Sequence, residues 1–248
     1  MIALLAAVPL ETSLLRRFLS PCEVRNCGGR ELYLGARLGR SVALMHCGVG
    51  KVNAAAATTL LLATYRPAAV IVLGCGGAFP GSGLGVGDLA VAGEEIHGDE
   101  GALTPQGFLD MEALGLPLAR RGNQSYYNRY PCCPWLLEKV RNLFNSPARE
   151  RFAQVAFGPF VTVSTCSGTL AAGAALAART GGICENMEGA AIAQICALHD
   201  IPFLEIRGIS NLVEDRDLAR WDLKAGAETA QWAVQELLNR WHDSKESA

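Results

Sequence analysis

The stretch AVIVLGCGGAF, residues 69–79, joins a strand pattern to a glycine-rich end. Ala69–Gly74 is a short apolar run with β-branched side chains, and glycine bounds it as expected for a strand. Because glycine has no Cβ, the GCGG segment permits close approach of a backbone to a ligand. The stretch therefore predicts a buried strand that ends beside a candidate binding site.

Similar runs recur along the chain and alternate with helical patterns. The other predicted strands are Ile2–Val8, Val42–Cys47, Leu89–Ala92, Ala156–Val163 and Phe203–Ile209. The predicted helices are Lys51–Tyr65, Trp135–Phe144, Thr169–Arg179, Glu188–His199 and Asp222–Trp241. This alternation predicts an α/β fold with three layers, α/β/α, around a mainly parallel mixed central sheet. We expect one domain covering residues 1–248, with ligands beyond the carboxyl ends of the strands.

Composition narrows the class of partner. The chain is 50% hydrophobic and 19% charged, and its net charge is −2 with scattered basic residues, which argues against a nucleic-acid partner. The N-terminus lacks the pattern of a signal peptide, and no long apolar window predicts a membrane span. Nine cysteines without a CxxC pair favour reduced thiols in the cytoplasm. The expected partner is a small molecule.

The least regular part of the chain runs from His97 to Pro134 and contains the polar aromatic stretch NQSYYNRYPCC. Loops of this length inside a compact domain are usually lids or binding segments, although an insertion without a role is the alternative. The last six residues, DSKESA, are expected to be a frayed tail.

Several polar motifs lie at strand ends or helix starts: Glu11, CGVGKVNAA at Cys47–Ala55, ENMEG with Met187 and Glu188, and IRGISN at Ile206–Asn211. Taken singly, each has an explanation without function. The GVGK turn lacks the length of a Walker A loop and the spacing of a dinucleotide fingerprint. A carboxylate at a helix start complements the positive end of the helix dipole. A solvent-facing turn would explain the polar end of IRGISN.

In combination and in this order, the motifs resemble the nucleosidase branch of the purine nucleoside phosphorylase superfamily. The resemblance is to the 5′-methylthioadenosine/S-adenosylhomocysteine nucleosidases and, more closely, to the futalosine hydrolases. It covers nearly the whole chain through the segments AAVPLE, GVGKVNAAAATT, GCGGAF with LGVGDLAVA, ENMEGAAIAQIC and IRGISN. GVGKVNAA and MEGAAIA are specific in combination, whereas no single motif would suffice.

The resemblance implies catalytic roles at three matching positions. Glu11 is similar to the carboxylate that positions and deprotonates the attacking water. Glu188 is similar to the acid that holds the ribose 2′- and 3′-hydroxyls. Asn211, with Ser210, matches a Ser-Asp pair under the purine N7. The residues that the resemblance assigns to substrate binding are Cys75, Gly76, Gly77, Met187, Arg207 and Ser210.

The chemistry of N-glycosidic bond cleavage agrees with these roles. Positive charge develops on the ribose and negative charge on the departing purine, so a catalyst must stabilise both ends. A carboxylate can serve the sugar, a donor near N7 can serve the base, and a general base must orient water on the opposite face. An acid at Glu11 would repel phosphate, which favours hydrolysis over phosphorolysis.

Asn211 stands where relatives that cleave adenine nucleosides have Asp, and an amide cannot donate a proton in acid catalysis. Hypoxanthine can spread leaving-group charge onto O6, so the sequence favours a 6-oxopurine substrate such as futalosine. Because futalosine carries a benzoate on its 5′ arm, a cation is expected at that end of the pocket, with Arg120, Arg121 and Arg129 as candidates. The resemblance also implies a homo-oligomer.

Three other functions stay open at this point. They are cleavage of methylthioadenosine or adenosylhomocysteine, phosphorolysis of a 6-oxopurine nucleoside, and nucleoside binding without turnover. Retention of both Glu11 and Glu188 argues against the last, because binding needs no water-activating acid. No cofactor is expected, and no metal site, because His46, His97, His199 and His242 lack ligand spacing.

Overall fold

A central sheet with helices on both faces forms the core of the computed structural model, which describes residues 1–241. Its strands are β1 (Ile2–Ala6), β2 (Glu23–Cys27), β3 (Arg30–Arg37), β4 (Arg40–His46), β5 (Ala69–Ala78), β6 (Leu89–His97), β7 (Gly101–Thr104), β8 (Gly107–Asp110), β9 (Ala119–Arg121), β10 (Gln124–Tyr126), β11 (Arg129–Pro131), β12 (Val155–Thr162), β13 (Cys184–Asn186) and β14 (Phe203–Leu212). Its α-helices are α1 (Ser13–Phe18), α2 (Lys51–Tyr65), α3 (Pro134–Phe144), α4 (Leu170–Thr180), α5 (Gly189–His199) and α6 (Leu223–Asn239). Short 3₁₀ turns occupy Pro9–Thr12, Pro147–Arg151 and Leu218–Arg220.

Within the described chain, ten strands make up the main sheet, in the order β11-β6-β12-β13-β5-β1-β4-β3-β2 with β14 joining β5 and β6. The pairs β1–β4, β1–β5, β5–β14, β6–β12 and β12–β13 are parallel, and the remaining pairs are antiparallel. The predicted α/β fold with a mainly parallel mixed sheet is confirmed.

Five of these strands close a ring. β5 pairs with β14, β14 with β6, β6 with β12, β12 with β13, and β13 with β5 again. Since β5 also pairs with β1, it is the strand around which the sheet is organised. The ends of β1, β13 and β14 are thereby brought to the end of β5.

Both faces of the sheet are covered by helices. Alternate side chains of β1 enter two different cores, with Ile2 and Leu4 on the side of α3 and α6 and with Ala3 and Leu5 on the side of α2 and α5. All five residues of β1 are buried. Two-sided burial explains why the central strands read as continuous apolar runs.

Two predicted strands extend in the structure into the polar or glycine-rich motifs at their ends. β5 continues through the glycines to Ala78, and β14 continues through Ser210 and Asn211 to Leu212. Gly74 is needed within the strand because a Cβ there would meet the Glu11 carboxylate and come within 2.8 Å of Arg207 Nη1. The two motifs predicted to follow strands therefore lie within paired strands.

The segment predicted as the least regular, from His97 to Pro134, contains two small hairpins and an edge strand. β7 pairs with β8, β9 pairs with β10, and β11 pairs with β6. The edge strand β2 and its neighbour β3 were not predicted. Four of the five residues of β2 are exposed, and its pattern is polar. His242 and the expected frayed tail lie outside the described residues.

Candidate active site

One cavity lies at the carboxyl ends of β1, β5 and β14 and has a volume of about 190 Å³. All nine residues singled out in the sequence line it. Its walls comprise Ala7, Val8, Glu11, Val49, Cys75, Gly76, Gly77, Cys166, Ser167, Glu185, Asn186, Met187, Glu188, Arg207, Ser210, Asn211, Arg216, Trp221 and Leu223. Convergent polar groups in a concave pocket at strand ends are typical of a small-molecule site.

Glu11 lies in the 3₁₀ turn that follows β1, and its side chain is directed back across the end of the sheet. Oε2 accepts hydrogen bonds from the backbone N–H groups of Ala7 at 2.9 Å and Val8 at 3.1 Å, and Oε1 accepts one from Cys75 at 2.8 Å. Burial raises the pKa of the Glu11 carboxyl, although nearby Arg207 and the Cys75 N–H act in the opposite direction. A raised pKa suits a carboxylate that accepts a proton during reaction.

Glu188 is the N-cap residue of α5, but its side chain does not cap that helix. Oε1 instead accepts a hydrogen bond from the backbone N–H of Gly50, at the start of α2, at 2.9 Å. Asn186 caps α5 in its place, accepting from the N–H groups of Glu188 and Gly189. The position of the Glu188 carboxylate is therefore not fixed by a capping hydrogen bond to its own helix.

The GVGK turn, at the start of α2, faces a carboxylate of the protein itself, that of Glu188. Gly50 has a φ of 90°, which favours glycine, and its N–H faces the Glu188 carboxylate. The N-terminus of a helix attracts negative charge through its free N–H groups and its dipole. The turn thus holds Glu188 in the cavity from the opposite side to Arg207.

Arg207 is buried between acidic groups. Its Nε donates to Glu205 Oε1 at 2.6 Å, Nη1 donates to the Cys75 carbonyl at 3.0 Å, and Nη2 donates to Glu188 Oε2 at 3.2 Å. Burial alone would lower its pKa, but the carboxylates of Glu205, Glu188 and Glu11 outweigh that effect and raise it. Arg207 therefore stays charged and fixes the position of Glu188.

A second buried acid lies behind Arg207. Oε2 of Glu205 has no hydrogen-bond donor among the described residues, and Glu95 is its neighbour. Burial, together with the Glu205 carboxylate, raises the pKa of Glu95 well above its ordinary value. Burial and the neighbouring carboxylate therefore both favour the protonated form of Glu95.

Ser210 and Asn211 lie at a bulge in β14, where the register with β5 shifts between Ile209 and Asn211. The bulge places Asn211 opposite Gly77 and turns its side chain into the cavity. The Ser210 hydroxyl donates to Asn211 Oδ1 at 2.9 Å, and Asn211 Nδ2 donates to the Leu212 carbonyl at 3.1 Å. One amide N–H and one oxygen lone pair of Asn211 remain for a ligand.

Cys75 and Met187 contribute the sulfur atoms beside the two acids. The Cys75 thiol donates to the Leu223 carbonyl at 3.3 Å, and burial raises its pKa to about 12. Cys75 is therefore a neutral thiol and not a thiolate nucleophile. Met187 lines the cavity next to Glu188 and offers an apolar surface to a ligand.

Several cavity residues were missed in the sequence, and Glu185 is the most polar of them. Its carboxylate accepts from the Ser167 N–H at 3.0 and 3.2 Å and from the Ser167 hydroxyl at 2.6 Å. Arg216 is exposed and lies over the ring of Trp221, 4.8 Å from its centroid. An acid directly after the short apolar segment Ile183-Cys184 was the available signal for Glu185.

The three arginines expected near a 5′ carboxylate lie elsewhere in this chain. Arg121 pairs with Asp200, and Arg129 pairs with Glu94 at 2.6 Å and donates to the Thr180 carbonyl. Arg120 is exposed on the β9–β10 hairpin. None of the described residues 98–134 lines the cavity, so within one chain these three arginines do not reach it.

Histidines play a structural part where they are described. His46 contacts Thr12 Oγ1 at 2.6 Å, and His97 contacts Gln194 Oε1 at 2.9 Å, while burial lowers the pKa of both rings. Among residues 1–241, no cluster of three or more His, Cys, Asp or Glu side chains could hold a metal ion. Over the same residues, no helix is long and apolar enough to span a membrane.

Comparisons with known proteins identify the relatives of this chain. The model of the phosphorylase superfamily matches residues 1–240. The chain is 34% identical to the futalosine hydrolase of Thermus thermophilus over 81% of this chain and 82% of that protein. It is 32% identical to the 5′-methylthioadenosine/S-adenosylhomocysteine nucleosidase of Geobacillus kaustophilus over 85% of this chain and 83% of that protein.

Solved structures agree with the sequence relatives. The 5′-methylthioadenosine/S-adenosylhomocysteine nucleosidase of Neisseria meningitidis, in complex with methylthio-immucillin-A, superposes with a TM-score of 0.81 and 26% identity, covering 96% of this chain and 98% of that one. A futalosine hydrolase mutant of Helicobacter pylori superposes with the same TM-score of 0.81 at 19% identity, covering 96% of this chain and 98% of that one. The second likeness supports the fold alone.

Proposed function

The chain belongs to the phosphorylase superfamily, among its nucleosidases, and we propose that it hydrolyses the N-glycosidic bond of futalosine. The products are hypoxanthine and dehypoxanthine futalosine, which places the reaction in menaquinone biosynthesis. The observation that carries the proposal is the convergence of Glu11, Glu188 and Asn211 on one cavity from three separate parts of the chain. The greater identity to a futalosine hydrolase supports the choice of substrate.

The sugar is bound on the side of Glu188. The Glu188 carboxylate, fixed by Gly50 and Arg207, accepts hydrogen bonds from the ribose 2′- and 3′-hydroxyls, and Met187 packs on the ribose ring. As the glycosidic bond breaks, the negative charge of Glu188 stabilises the positive charge that develops on the ribose.

Water attacks the anomeric carbon from the face opposite the base. Glu11 accepts one proton from this water, and the hydroxide equivalent forms the new C–O bond while the C–N bond breaks. The bonding electrons leave with the purine, which takes up a proton from solvent. Burial of Glu11 and its raised pKa support its role as the proton acceptor.

Asn211 supports a 6-oxopurine as leaving group. Its free amide N–H can donate to O6, where negative charge collects, and its oxygen can accept from a protonated N7. An amide cannot itself supply the N7 proton that adenine needs to leave. Methylthioadenosine and adenosylhomocysteine, the substrates in the names of many relatives, are therefore the second candidates.

Phosphorolysis is disfavoured by the charges around the site. Arg207 directs its nitrogens to Glu205, Glu188 and the Cys75 carbonyl, so this buried cation is already paired. A phosphate ion entering the cavity would instead face the carboxylates of Glu11, Glu188 and Glu185. Water, which is neutral, meets no such repulsion.

The experiment offers futalosine, inosine and methylthioadenosine to the enzyme in phosphate-free buffer and follows free base by chromatography. We expect hypoxanthine from futalosine alone. Adenine from methylthioadenosine with no reaction of futalosine would replace the proposal by the second candidate. A requirement for phosphate would show a phosphorylase, and calorimetric binding without turnover would show a binding protein.

We also propose a homo-oligomer located in the cytoplasm. Val49 lines the cavity and is half exposed, and Val52, the second residue of α2, is 84% exposed, so an apolar surface adjoins the site. All nine cysteines are free thiols, as in proteins of a reducing compartment. Light scattering of the purified enzyme tests the oligomer, and a monomeric mass would contradict it.

A further inference from the structure

Two polar side chains flank Gly77 on one face of the sheet. Glu185 of β13 is paired with Gly77 in antiparallel register, and Asn211 of β14 is paired with it in parallel register. Residues directly opposite one another in a sheet project to the same side, so Glu185 and Asn211 both face the cavity. Gly77 has no side chain between them, and a Cβ there would lie 2.9 Å from Val213 Cγ2 and 3.1 Å from Asn211 Nδ2.

The spacing of this pair suits a flat bicyclic base. Two strand separations put the backbones of Glu185 and Asn211 roughly 9.5 Å apart. A purine lying over Gly77 can direct its O6 and N7 edge to Asn211, and its N1 edge then points toward the opposite strand. Glu185 is the acid on that strand within the cavity wall.

The Glu185 side chain is held ready as an acceptor. Ser167 donates to it from its N–H and its hydroxyl, which fixes the carboxylate while leaving acceptor capacity on both oxygens. The residue is only 7% exposed, and burial raises the pKa of its carboxyl against the opposing effect of Ser167. A hydrogen bond from a ligand N–H would replace the water that the Glu185 carboxylate loses on burial.

We propose that Glu185 is a specificity-determining residue that accepts a hydrogen bond from N1–H of a 6-oxopurine; this inference rests on the proposed function. Hypoxanthine carries a proton on N1, whereas N1 of adenine is an acceptor. An adenine in the same position would set a lone pair against the carboxylate and leave both buried groups unpaired. Sites that depend on such a pairing reject the mismatched ligand strongly.

The test compares kcat/KM for futalosine with kcat/KM for its 6-amino analogue in wild type and in Glu185→Gln. The amide of glutamine can donate to adenine N1, so we expect the oxo-to-amino selectivity ratio to fall at least about tenfold. A gain on the amino analogue cannot come from partial unfolding. Glu94→Gln, a strand carboxylate that pairs with Arg129 outside the cavity, is the matched control and should keep the wild-type ratio.

An unchanged ratio in a folded Glu185→Gln enzyme would overturn the inference and assign Glu185 to holding Ser167 only. If the variant does not fold, binding of hypoxanthine and 1-methylhypoxanthine to the wild type decides the matter by calorimetry. Loss of at least about tenfold in affinity on N1-methylation supports the contact, and equal affinity overturns it. Wild type that cleaves adenine nucleosides but not futalosine overturns the proposed function, and this inference with it.

Discussion

Nη2 of Arg207 lies 3.2 Å from Oε2 of Glu188, and both side chains are almost completely buried. Glu11 also lies near this arginine, which opposes the rise in the pKa of the Glu11 carboxyl. One cation therefore acts on both carboxylates of the proposed reaction. Separate changes to the base, the cation and the acids should have distinct consequences.

Replacement of the proposed general base tests the chemical step. Glu11→Gln should lower kcat by about 10²–10⁴-fold and leave substrate binding within a few-fold, because the amide cannot accept the proton from water. Since only ionised Glu11 can act as base and its pKa is raised, wild-type kcat/KM should fall on acidification at a pH above that of an ordinary glutamate. Stopped assays across pH and calorimetry measure both, with exposed Glu31→Gln as control; near-normal turnover in Glu11→Gln would exclude the role.

Removal of the buried cation tests the acidic network. Arg207→Met should lower the free energy of unfolding by about 3–5 kcal/mol, because it leaves the carboxylates of Glu205 and Glu188 buried without their partner. Urea denaturation measures the change. Arg25→Met breaks the exposed pair with Glu23 and should have little effect, so equal losses in the two variants would contradict the argument.

The amide beside the base tests leaving-group preference. Asn211→Asp should increase activity on the 6-amino analogue relative to futalosine by about tenfold, because a carboxylic acid can supply the N7 proton that an amide cannot. The ratio of kcat/KM values is the measurement. Asn26→Asp, on the exposed strand β2, is the control, and unchanged selectivity in Asn211→Asp would count against a 6-oxopurine site.

The buried acid behind Arg207 gives stability a defined pH dependence. Burial and the Glu205 carboxylate raise the pKa of Glu95 in the folded protein above its ordinary value of 4.5, so folding favours the protonated form. Its contribution is present below pH 4.5 and is lost as pH rises toward the folded-state pKa. Between about pH 5 and pH 8, Glu95→Gln should gain at least about 1 kcal/mol of unfolding free energy relative to wild type. Urea denaturation at both pH values measures it, and parallel pH curves would contradict it.

The glycine beneath the two charged groups tests packing. In Gly74→Ala, the added methyl would meet the Glu11 carboxylate and Arg207, so we expect a loss of about 1–3 kcal/mol in stability and a decrease in kcat of at least about tenfold. Gly93→Ala is matched in β6, where a Cβ would have its nearest neighbour at 3.9 Å, and should behave almost as wild type. Thermal unfolding and base release compare them.

The sequence allowed the buried parts of the fold to be predicted and missed the exposed parts. β1, β5 and β12 are nearly continuous apolar runs because helices cover both faces of the sheet, and α2 agrees with its predicted bounds. β2 and the hairpins β7–β8 and β9–β10 are short or polar. Their local sequence therefore does not indicate which strands they pair with.

The site shows the same division. Glu11, Glu188 and Asn211 were expected from the order of motifs, and the structure brings them to one cavity, while their roles stay predictions. Glu185 was missed although it is two residues from Met187, because its direction depends on the pairing of β13 with β5. Arg121 was expected near the substrate but forms an ion pair with Asp200 on the surface.

The ring of strands β5, β14, β6, β12 and β13 has a practical meaning for inhibitors. Neither of the strand ends that bear Glu185 and Asn211 can move aside without breaking backbone pairing elsewhere in the ring. The width of the space between Glu185 and Asn211, above Gly77, is therefore fixed before a ligand binds. Rigid planar heterocycles of purine size should gain affinity there with little entropic penalty, and wider tricyclic ones should be excluded.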